Sequence, residues 1–179
     1  MLNSEESVLA VIDVQGKLVH VVEDSSLILA NIQRLIMGAQ ALNIPIIVTN
    51  QVPNKLGTTA PEITELLPVA EPISRTSFSC LREVQFMARL NELARKQIVL
   101  CGLEAHICLY QSALDLLEAG YEVYYVVDAV SARAAVNKQT AITRVKAAGA
   151  KLTTVEMLLF EMLRDARHPA FKAVAKIIK

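Results

Sequence analysis

The chain has no tryptophan, only three histidines and three cysteines, and no excess of either charge over its 179 residues. Eighteen basic residues balance eighteen acidic ones, so nothing indicates a nucleic-acid partner or a strongly basic protein partner. The histidines lie far apart and the cysteines lack the spacing of metal ligands, which argues against a metal site. An odd number of cysteines argues against a disulfide framework and favours a reducing cytoplasm.

Long apolar runs and glycine-rich nucleotide loops are missing as well. The longest apolar runs have the length of a strand, far short of a membrane span, and residues 1–7 are too polar for a secretory signal. No G-x-G-x-x-G or Walker-type motif is present. We therefore expect a cytoplasmic protein with no cofactor and no membrane contact.

Apolar residues, by contrast, are abundant. They make up 53% of the chain, and the mean hydropathy of +0.38 is high for a soluble monomer. Either a deeply buried sheet or apolar surface between subunits accounts for this excess. The composition is that of a globular protein, and we expect a homo-oligomer of two or more copies.

Apolar runs of strand length alternate with helical patterns along the whole chain. Such alternation builds βαβ units whose helices cover both faces of a parallel sheet. The predicted strands are residues 8–13, 46–49, 73–78, 98–101, 121–127 and 151–154. Thr153 and Glu156 match a capping box for the helix after the last strand. The pattern predicts a three-layer α/β/α, Rossmann-like fold in a single domain over residues 1–179.

Ligands of parallel α/β sheets bind beyond the carboxyl ends of the strands. Four places in the sequence meet that rule: Asp13, residues 49–51, residues 102–108 and Asp128. Asp13 ends an apolar strand, where low-dielectric walls and helix N-termini tune a carboxylate for use as a general base. A capping role in the following turn fits its position equally well.

Cys108 is the best placed of the three cysteines. It follows a strand and a short turn at the start of a helix, where the helix dipole favours thiolate and backbone N–H groups can bind an oxyanion. Packing within the first helical turn is the alternative. Cys101 lies inside an apolar strand and is predicted to be inert, whereas Cys80 fits a packing or a rim position. His106 is two residues from Cys108, a separation at which helical side chains do not face each other, and is predicted to be structural or at the rim.

Four segments together resemble the isochorismatase-like cysteine hydrolases. They are AVIDVQGKL from Ala10, RTSFSCL from Arg75, CGLEAHICLYQSALDLLEAGYEVYYVVDAVSAR from Cys101 and AAGAKLTTVEMLLFEML from Ala147. They occur in the order expected for that family, and the likeness covers nearly the whole chain. The resemblance implies a six-stranded parallel sheet and an Asp–Lys–Cys triad.

The resemblance assigns the triad to particular residues. Asp13 matches the base that takes the thiol proton, and Cys108 matches the nucleophile. Arg75 stands where the family has its lysine. An arginine can hold a thiolate and a carboxylate by charge and forked hydrogen bonds, but its pKa above about 12 prevents it from sharing a proton. Lys17 and Lys55 are other sources of an ammonium group, and an outward-facing Arg75 on a loop is the remaining alternative.

The resemblance also implies a substrate and oxyanion site. Gln15 matches a position that often lines it. Leu103 and Glu104 match a non-proline cis peptide, which would aim the N–H groups of Glu104 and Cys108 at a developing oxyanion.

The stretch after the second strand separates this chain from the nicotinamidases of the superfamily. It reads Thr-Asn-Gln-Val-Pro over residues 49–53 and lacks the histidine of their metal motif, so nicotinamide deamidation is disfavoured and no metal is expected. The cysteine favours metal-independent hydrolysis of a small amide or related carbon–nitrogen substrate through an acyl-enzyme. Two alternatives stay open: isochorismatase-type enol-ether hydrolysis, which can proceed without the cysteine, and a non-catalytic homo-oligomeric binding protein, which the arginine at residue 75 favours.

Overall fold

All six predicted strands are present in a computed structural model that describes residues 1–179. The strands are β1 (Ser7–Ile12), β2 (Ile46–Gln51), β3 (Ile73–Arg75), β4 (Gln97–Leu103), β5 (Glu122–Ser131) and β6 (Lys151–Thr153). Their order across one sheet is β3-β2-β1-β4-β5-β6, and every neighbouring pair runs parallel. The prediction of a six-stranded parallel sheet is confirmed.

Helices fill the connections between the strands. They are α1 (Leu18–Val21), α2 (Ser25–Ala41), α3 (Pro53–Leu56), α4 (Pro61–Thr64), α5 (Val84–Leu93), α6 (Tyr110–Glu118), α7 (Ala135–Ala147), α8 (Val155–Leu163) and α9 (Phe171–Ile178). A 3₁₀ turn spans Cys80–Arg82, and a π-helical turn spans Ala105–Leu109. None of the helices combines the length and the apolar character needed to cross a membrane.

Alternating residues of the central strands separate two hydrophobic layers. In β1, Leu9 and Val11 belong to the cluster formed with α2, α8 and α9, whereas Val8, Ala10 and Ile12 belong to the cluster formed with α5, α6 and α7. The two-residue period of a strand produces this alternation. Because both faces are covered, the strand reads as an uninterrupted apolar run, and the three-layer α/β/α prediction is confirmed.

Two strands differ in length from the prediction. β3 ends at Arg75 rather than at residue 78, because the guanidinium of Arg75 turns back to donate to the carbonyl oxygens of Ser77 and Phe78 as the chain leaves the sheet. β5 continues to Ser131, because a register shift lets its last residues pair with the end of β4.

The helix after β6 is capped one residue later than predicted. Thr154 precedes α8, and its hydroxyl accepts the backbone N–H of Met157 at 3.3 Å. Thr153 is the last residue of β6, where pairing with β5 keeps it extended. The capping box of Thr153 with Glu156 was therefore wrong by one position.

The order of the strands reverses between β1 and β4, and this reversal creates a crevice. The chain runs from β1 to β2 and β3 on one side and then returns to place β4, β5 and β6 on the other. Ligand sites form beyond the carboxyl ends of strands at such a switch point. β1 and β4 approach closely there, because a Cβ at Gly102 would stand 1.9 Å from the carbonyl oxygen of Ile12. Gly102 also has a φ of 132°, so only glycine suits this position.

Candidate active site

Asp13 directly follows β1, and its carboxylate is buried at the switch point. It accepts a hydrogen bond from the hydroxyl of Thr49 at 3.0 Å and another from the guanidinium of Arg75 at 2.5 Å. Burial raises the pKa of Asp13, while Arg75 and hydrogen bonds from Cys108 and Thr49 oppose that rise. A carboxylate held between these opposing influences suits a general base.

The guanidinium of Arg75 is fully buried and donates hydrogen bonds to several groups of the site. Besides its ion pair with Asp13, it donates to Oε1 of Gln51 at 2.5 Å and to the carbonyl oxygens of Ser77 and Phe78. A forked cation of this kind fixes several acceptors at once. The alternative of an outward-facing arginine is therefore wrong, because Asp13, Gln51 and the loop after β3 hold it inside.

Cys80 is a second thiol close to Arg75. It is fully buried, with its sulfur 4.0 Å from the hydroxyl oxygen of Thr49, so the packing interpretation holds and the rim interpretation does not. Burial lowers the pKa of Arg75, but Cys80, Asp13 and Cys108 raise it by more. Arg75 therefore stays positively charged at neutral pH.

Cys108 lies in the π-helical turn before α6, and both Asp13 and Arg75 are near enough to its sulfur to shift its pKa. Its sulfur is 3.9 Å from Oε1 of Gln51. Burial, reinforced by the charge of Asp13, raises the pKa of Cys108 to about 12 even though Arg75 opposes the rise. The expectation of a resting thiolate at a helix start was wrong, because lost hydration and a neighbouring carboxylate outweigh the helix dipole. The structure nevertheless brings Asp13, Arg75 and Cys108 together from distant segments.

Gln15 lines the cavity, but its amide is used within the protein. Its Nε2 donates to the carbonyl oxygens of Gln51 and Gly57 at 3.0 and 2.6 Å, and its Oε1 accepts the N–H of Gln51 at 2.6 Å. Gln15 thus links the end of β2 to the segment that follows it by hydrogen bonds. Gln51 is the residue that sequence reasoning missed, since it bridges Arg75 and Cys108. Its place in the strand-end segment 49–51 was the available signal.

The turn after β4 differs from the expectation. All peptide bonds are trans, and Glu104 instead reverses the chain with a left-handed backbone at φ 59°. The predicted cis peptide between Leu103 and Glu104 is therefore absent, because the left-handed residue supplies the turn. The side chain of Leu103 packs in the core layer with α2 and does not line the cavity.

Glu104 lines the cavity and is held by Arg133. Its carboxylate accepts from the backbone N–H, Nε and Nη2 of Arg133 at 3.4, 3.2 and 3.1 Å. His106 lies beside this pair, with Nε2 3.9 Å from Oε2 of Glu104 and 3.4 Å from Nδ2 of Asn137. His106 does not line the cavity, in agreement with a structural or rim position.

The remaining sequence candidates lie elsewhere. Asp128 accepts the backbone N–H of Val155 at 2.9 Å, so it caps the start of α8 and does not reach the cavity. Cys101 is fully buried in β4, and burial raises its pKa, as expected for an inert packing residue.

A cavity of about 680 Å³ opens above Cys108. Its lining combines the buried polar groups with apolar side chains and two lysines at the mouth. The lining residues are Asp13, Gln15, Gly16, Lys17, Leu18, Val21, Gln51, Lys55, Leu56, Gly57, Phe78, Glu104, Ile107, Cys108 and Arg133. No group of three or more His, Cys, Asp or Glu side chains is close enough to hold a metal ion. The space suits a small molecule.

Comparison with known proteins identifies the family. The model of the isochorismatase domain matches residues 7–157. The chain belongs to the isochorismatase family. The resemblance stated from the sequence is thus confirmed, and the protein is an isochorismatase-family hydrolase.

Three similar proteins illustrate the range of the isochorismatase family. The secreted isochorismatase effector Isc1 of Phytophthora sojae is 37% identical, with 97% of this chain and 84% of that protein covered. A structure described as MAR1 ribonuclease from Caenorhabditis elegans is 38% identical, with a TM-score of 0.92 and coverage of 99% and 91%. The YcaC gene product of Escherichia coli, an octameric hydrolase of unknown specificity, is 25% identical, with a TM-score of 0.93 and coverage of 99% and 88%.

Proposed function

We propose that this protein is a metal-independent hydrolase of a small amide or related carbon–nitrogen substrate, and that it works through an acyl-enzyme on Cys108. One observation carries the proposal: a thiol at the base of a cavity lies beside a buried carboxylate that is ion-paired with a permanent cation. A thiol activated by an adjacent base is the usual arrangement for nucleophilic catalysis.

The first half of the reaction forms the acyl-enzyme. Asp13 accepts the proton of the Cys108 thiol while the sulfur attacks the substrate carbonyl carbon. The backbone N–H groups of Glu104 and Cys108 stabilise the oxyanion, as the family resemblance implies. Collapse of the tetrahedral intermediate breaks the carbon–nitrogen bond, and the proton held by Asp13 passes to the leaving nitrogen. Water deprotonated by Asp13 then attacks the thioester and releases the acid, and Cys108 regains its proton.

The role of Arg75 follows from charge balance. When the proton moves from Cys108 to Asp13, one negative charge moves from the carboxylate to the sulfur, and the net charge of the site does not change. Arg75 is paired with Asp13 before the transfer, and it is near enough to Cys108 to favour the thiolate that forms. Transfer inside this neutralised pair avoids the desolvation penalty that raises the pKa of the thiol against bulk water. An arginine can therefore replace the family's lysine, because its charge rather than a transferable proton is required.

A substrate screen tests the proposal. Small amides, ureides and enol ethers are incubated with the wild type, Cys108→Ala and Asp13→Asn, and amine or ammonia release is measured. We expect release from an amide or ureide that both variants lose. Enol-ether cleavage that survives Cys108→Ala would support the isochorismatase-type alternative. Tight binding of a screened compound with no turnover would support the binding-protein alternative.

RNA belongs in the same screen, because one structural neighbour is described as a ribonuclease. The even charge balance of this chain does not supply the basic surface that holds a phosphate backbone. We expect no RNA cleavage above that of Cys108→Ala.

We also propose that the protein is a cytoplasmic homo-oligomer. Exposed apolar side chains, among them Val21, Leu56, Phe78 and Val84, support a homo-oligomer, as does the octameric neighbour. Three unpaired cysteines support a reducing cytoplasm, although one relative is a secreted effector. We take residues 1–179 to form a single hydrolase domain. Light scattering on the purified protein measures the oligomeric state.

A further inference from the structure

Two lysines at the mouth of the cavity have no carboxylate partner. Lys17 precedes α1 and Lys55 lies in α3, and both line the cavity and are exposed. Neither ammonium group lies within 4.0 Å of a carboxylate. Only Lys151 among the lysines of the chain has a carboxylate partner, and what distinguishes Lys17 and Lys55 is that both line the same cavity.

The backbone beside Lys17 is in direct contact with the backbone beside Lys55. The N–H of Gly16 donates to the carbonyl of Thr58 at 3.0 Å. Gly16 has a φ of 49°, and a Cβ there would stand 1.8 Å from the carbonyl oxygen of Leu56. The amide of Gln15 also ties the first segment to Gly57. The residues beside Lys17 and Lys55 are therefore fixed against each other, which keeps both lysines on one rim of the cavity.

The other charges that line the cavity cancel in pairs. Asp13 is paired with Arg75 at its base, and Glu104 is paired with Arg133 at its side. The positive charges of Lys17 and Lys55 remain, so the cavity presents an excess of two positive charges to an incoming molecule. A cleft of one sign with low-dielectric walls concentrates ligands of the opposite charge.

We propose that the substrate is a small amide or ureide that carries a carboxylate group, and that Lys17 and Lys55 attract and hold that carboxylate. The inference deepens the proposed function and rests on it for the chemistry at Cys108. The reacting carbonyl lies over the sulfur, and the carboxylate end of the molecule lies towards the mouth.

A pair of thiol reagents that differ in charge tests the inference without a known substrate. Iodoacetate is an anion and iodoacetamide is its neutral counterpart, and both alkylate Cys108 from the cavity. Rate constants are measured at low salt for the wild type, for Lys17→Gln with Lys55→Gln, and for Lys172→Gln as a matched exposed control outside the cavity. Peptide mass spectrometry assigns the measured alkylation to Cys108, and Cys108→Ala gives the background rate of the other two cysteines.

The ratio of the iodoacetate rate to the iodoacetamide rate is the readout. We expect the double glutamine variant to lower this ratio about fourfold, roughly twofold for each lysine, and 0.5 M salt to lower the wild-type ratio similarly. Lys172→Gln and the charge-preserving pair Lys17→Arg with Lys55→Arg should keep the wild-type ratio. An unchanged ratio in the glutamine variant would overturn the carboxylate inference.

Failure of the inference can be told from failure of the proposed function. A preference for neutral amides over their carboxylated counterparts, with turnover lost in Cys108→Ala, would overturn the inference alone. Carboxylated amides that bind, lose affinity in the double glutamine variant and are never hydrolysed would uphold the carboxylate-binding role of Lys17 and Lys55 and overturn the hydrolase.

Discussion

Replacing Asp13 with asparagine should raise the alkylation rate of Cys108 and lower the turnover of an amide substrate. The pKa of Cys108 is raised to about 12, so only about one thiol in ten thousand is ionised at pH 8. Burial is the main cause of that rise, and the charge of Asp13 adds to it. Asp13→Asn removes this charge and leaves Arg75 with no carboxylate partner, so a thiolate at residue 108 becomes the favoured counter-ion.

The size of the effect can be worked out for two charges at neighbouring side chains. Two unit charges about 4 Å apart interact by about 4 kcal/mol at an effective dielectric of about 20. If rearrangement of nearby groups and water cancels half of this energy, about 2 kcal/mol remains. The thiolate fraction of Cys108 then rises about thirtyfold, and its rate of alkylation by iodoacetamide at pH 8 rises with it. Turnover of an amide should fall by about 10²–10⁴, because the proton acceptor has gone.

Iodoacetamide kinetics and amide turnover are therefore measured on the same preparations. Thr49→Val is the matched control, since it removes one hydrogen bond to Asp13 and leaves the charge in place. Its alkylation rate should stay within a few-fold of the wild type. A parallel fall of alkylation and turnover in Asp13→Asn would refute the reasoning, because Asp13 would then be needed to ionise the resting thiol.

The remaining predictions concern stability and pH. Arg75→Met should lower the free energy of unfolding by about 3 kcal/mol at pH 8 in chemical denaturation, because it leaves a buried carboxylate without a partner. The deficit should shrink as pH falls, because loss of Arg75 raises the folded-state pKa of Asp13 further. A carboxyl with a raised folded-state pKa stabilises the fold below its unfolded pKa and loses that stability as pH rises; a pH-independent deficit would contradict this. Gly102→Ala should abolish the folded state or lower its melting temperature by more than about 10 °C, because its Cβ would clash with the carbonyl of Ile12; a normal melting curve would contradict the close strand approach. Alkylation of wild-type Cys108 should still rise between pH 9 and 10, where an ordinary thiol levels off, and a plateau there would show that the pKa is not raised.

Much of the fold was readable from local patterns, because buried strands and helices leave periodic apolar signals. The central strands β1 and β4 were found within a few residues. β5 was predicted too short, because Val130 and Ser131 join the sheet only through a register shift with its neighbour. Such a shift depends on the partner strand and leaves no local signal.

The positions of the candidate catalytic residues were predictable from the sequence, but their contacts and pKa values were not. Strand ends and family resemblance pointed to Asp13, Arg75 and Cys108, which the structure brings together. The bridging position of Gln51 depends on the pairing of β2 with β3, where Gln51 lies opposite Arg75. The raised pKa of Cys108 depends on burial and on a carboxylate 95 positions away in the chain, which the local helix-start pattern does not contain.

A crystal structure of the protein soaked with a small neutral aldehyde tests the central claim most directly. A thiol that attacks carbonyl carbons adds to an aldehyde and gives a stable analogue of the tetrahedral intermediate. We predict continuous density from Sγ of Cys108 to the aldehyde carbon, with Asp13 and Arg75 still in contact with each other beside that sulfur. An unmodified Cys108 at saturating aldehyde, or an adduct on Cys80 instead, would contradict the account.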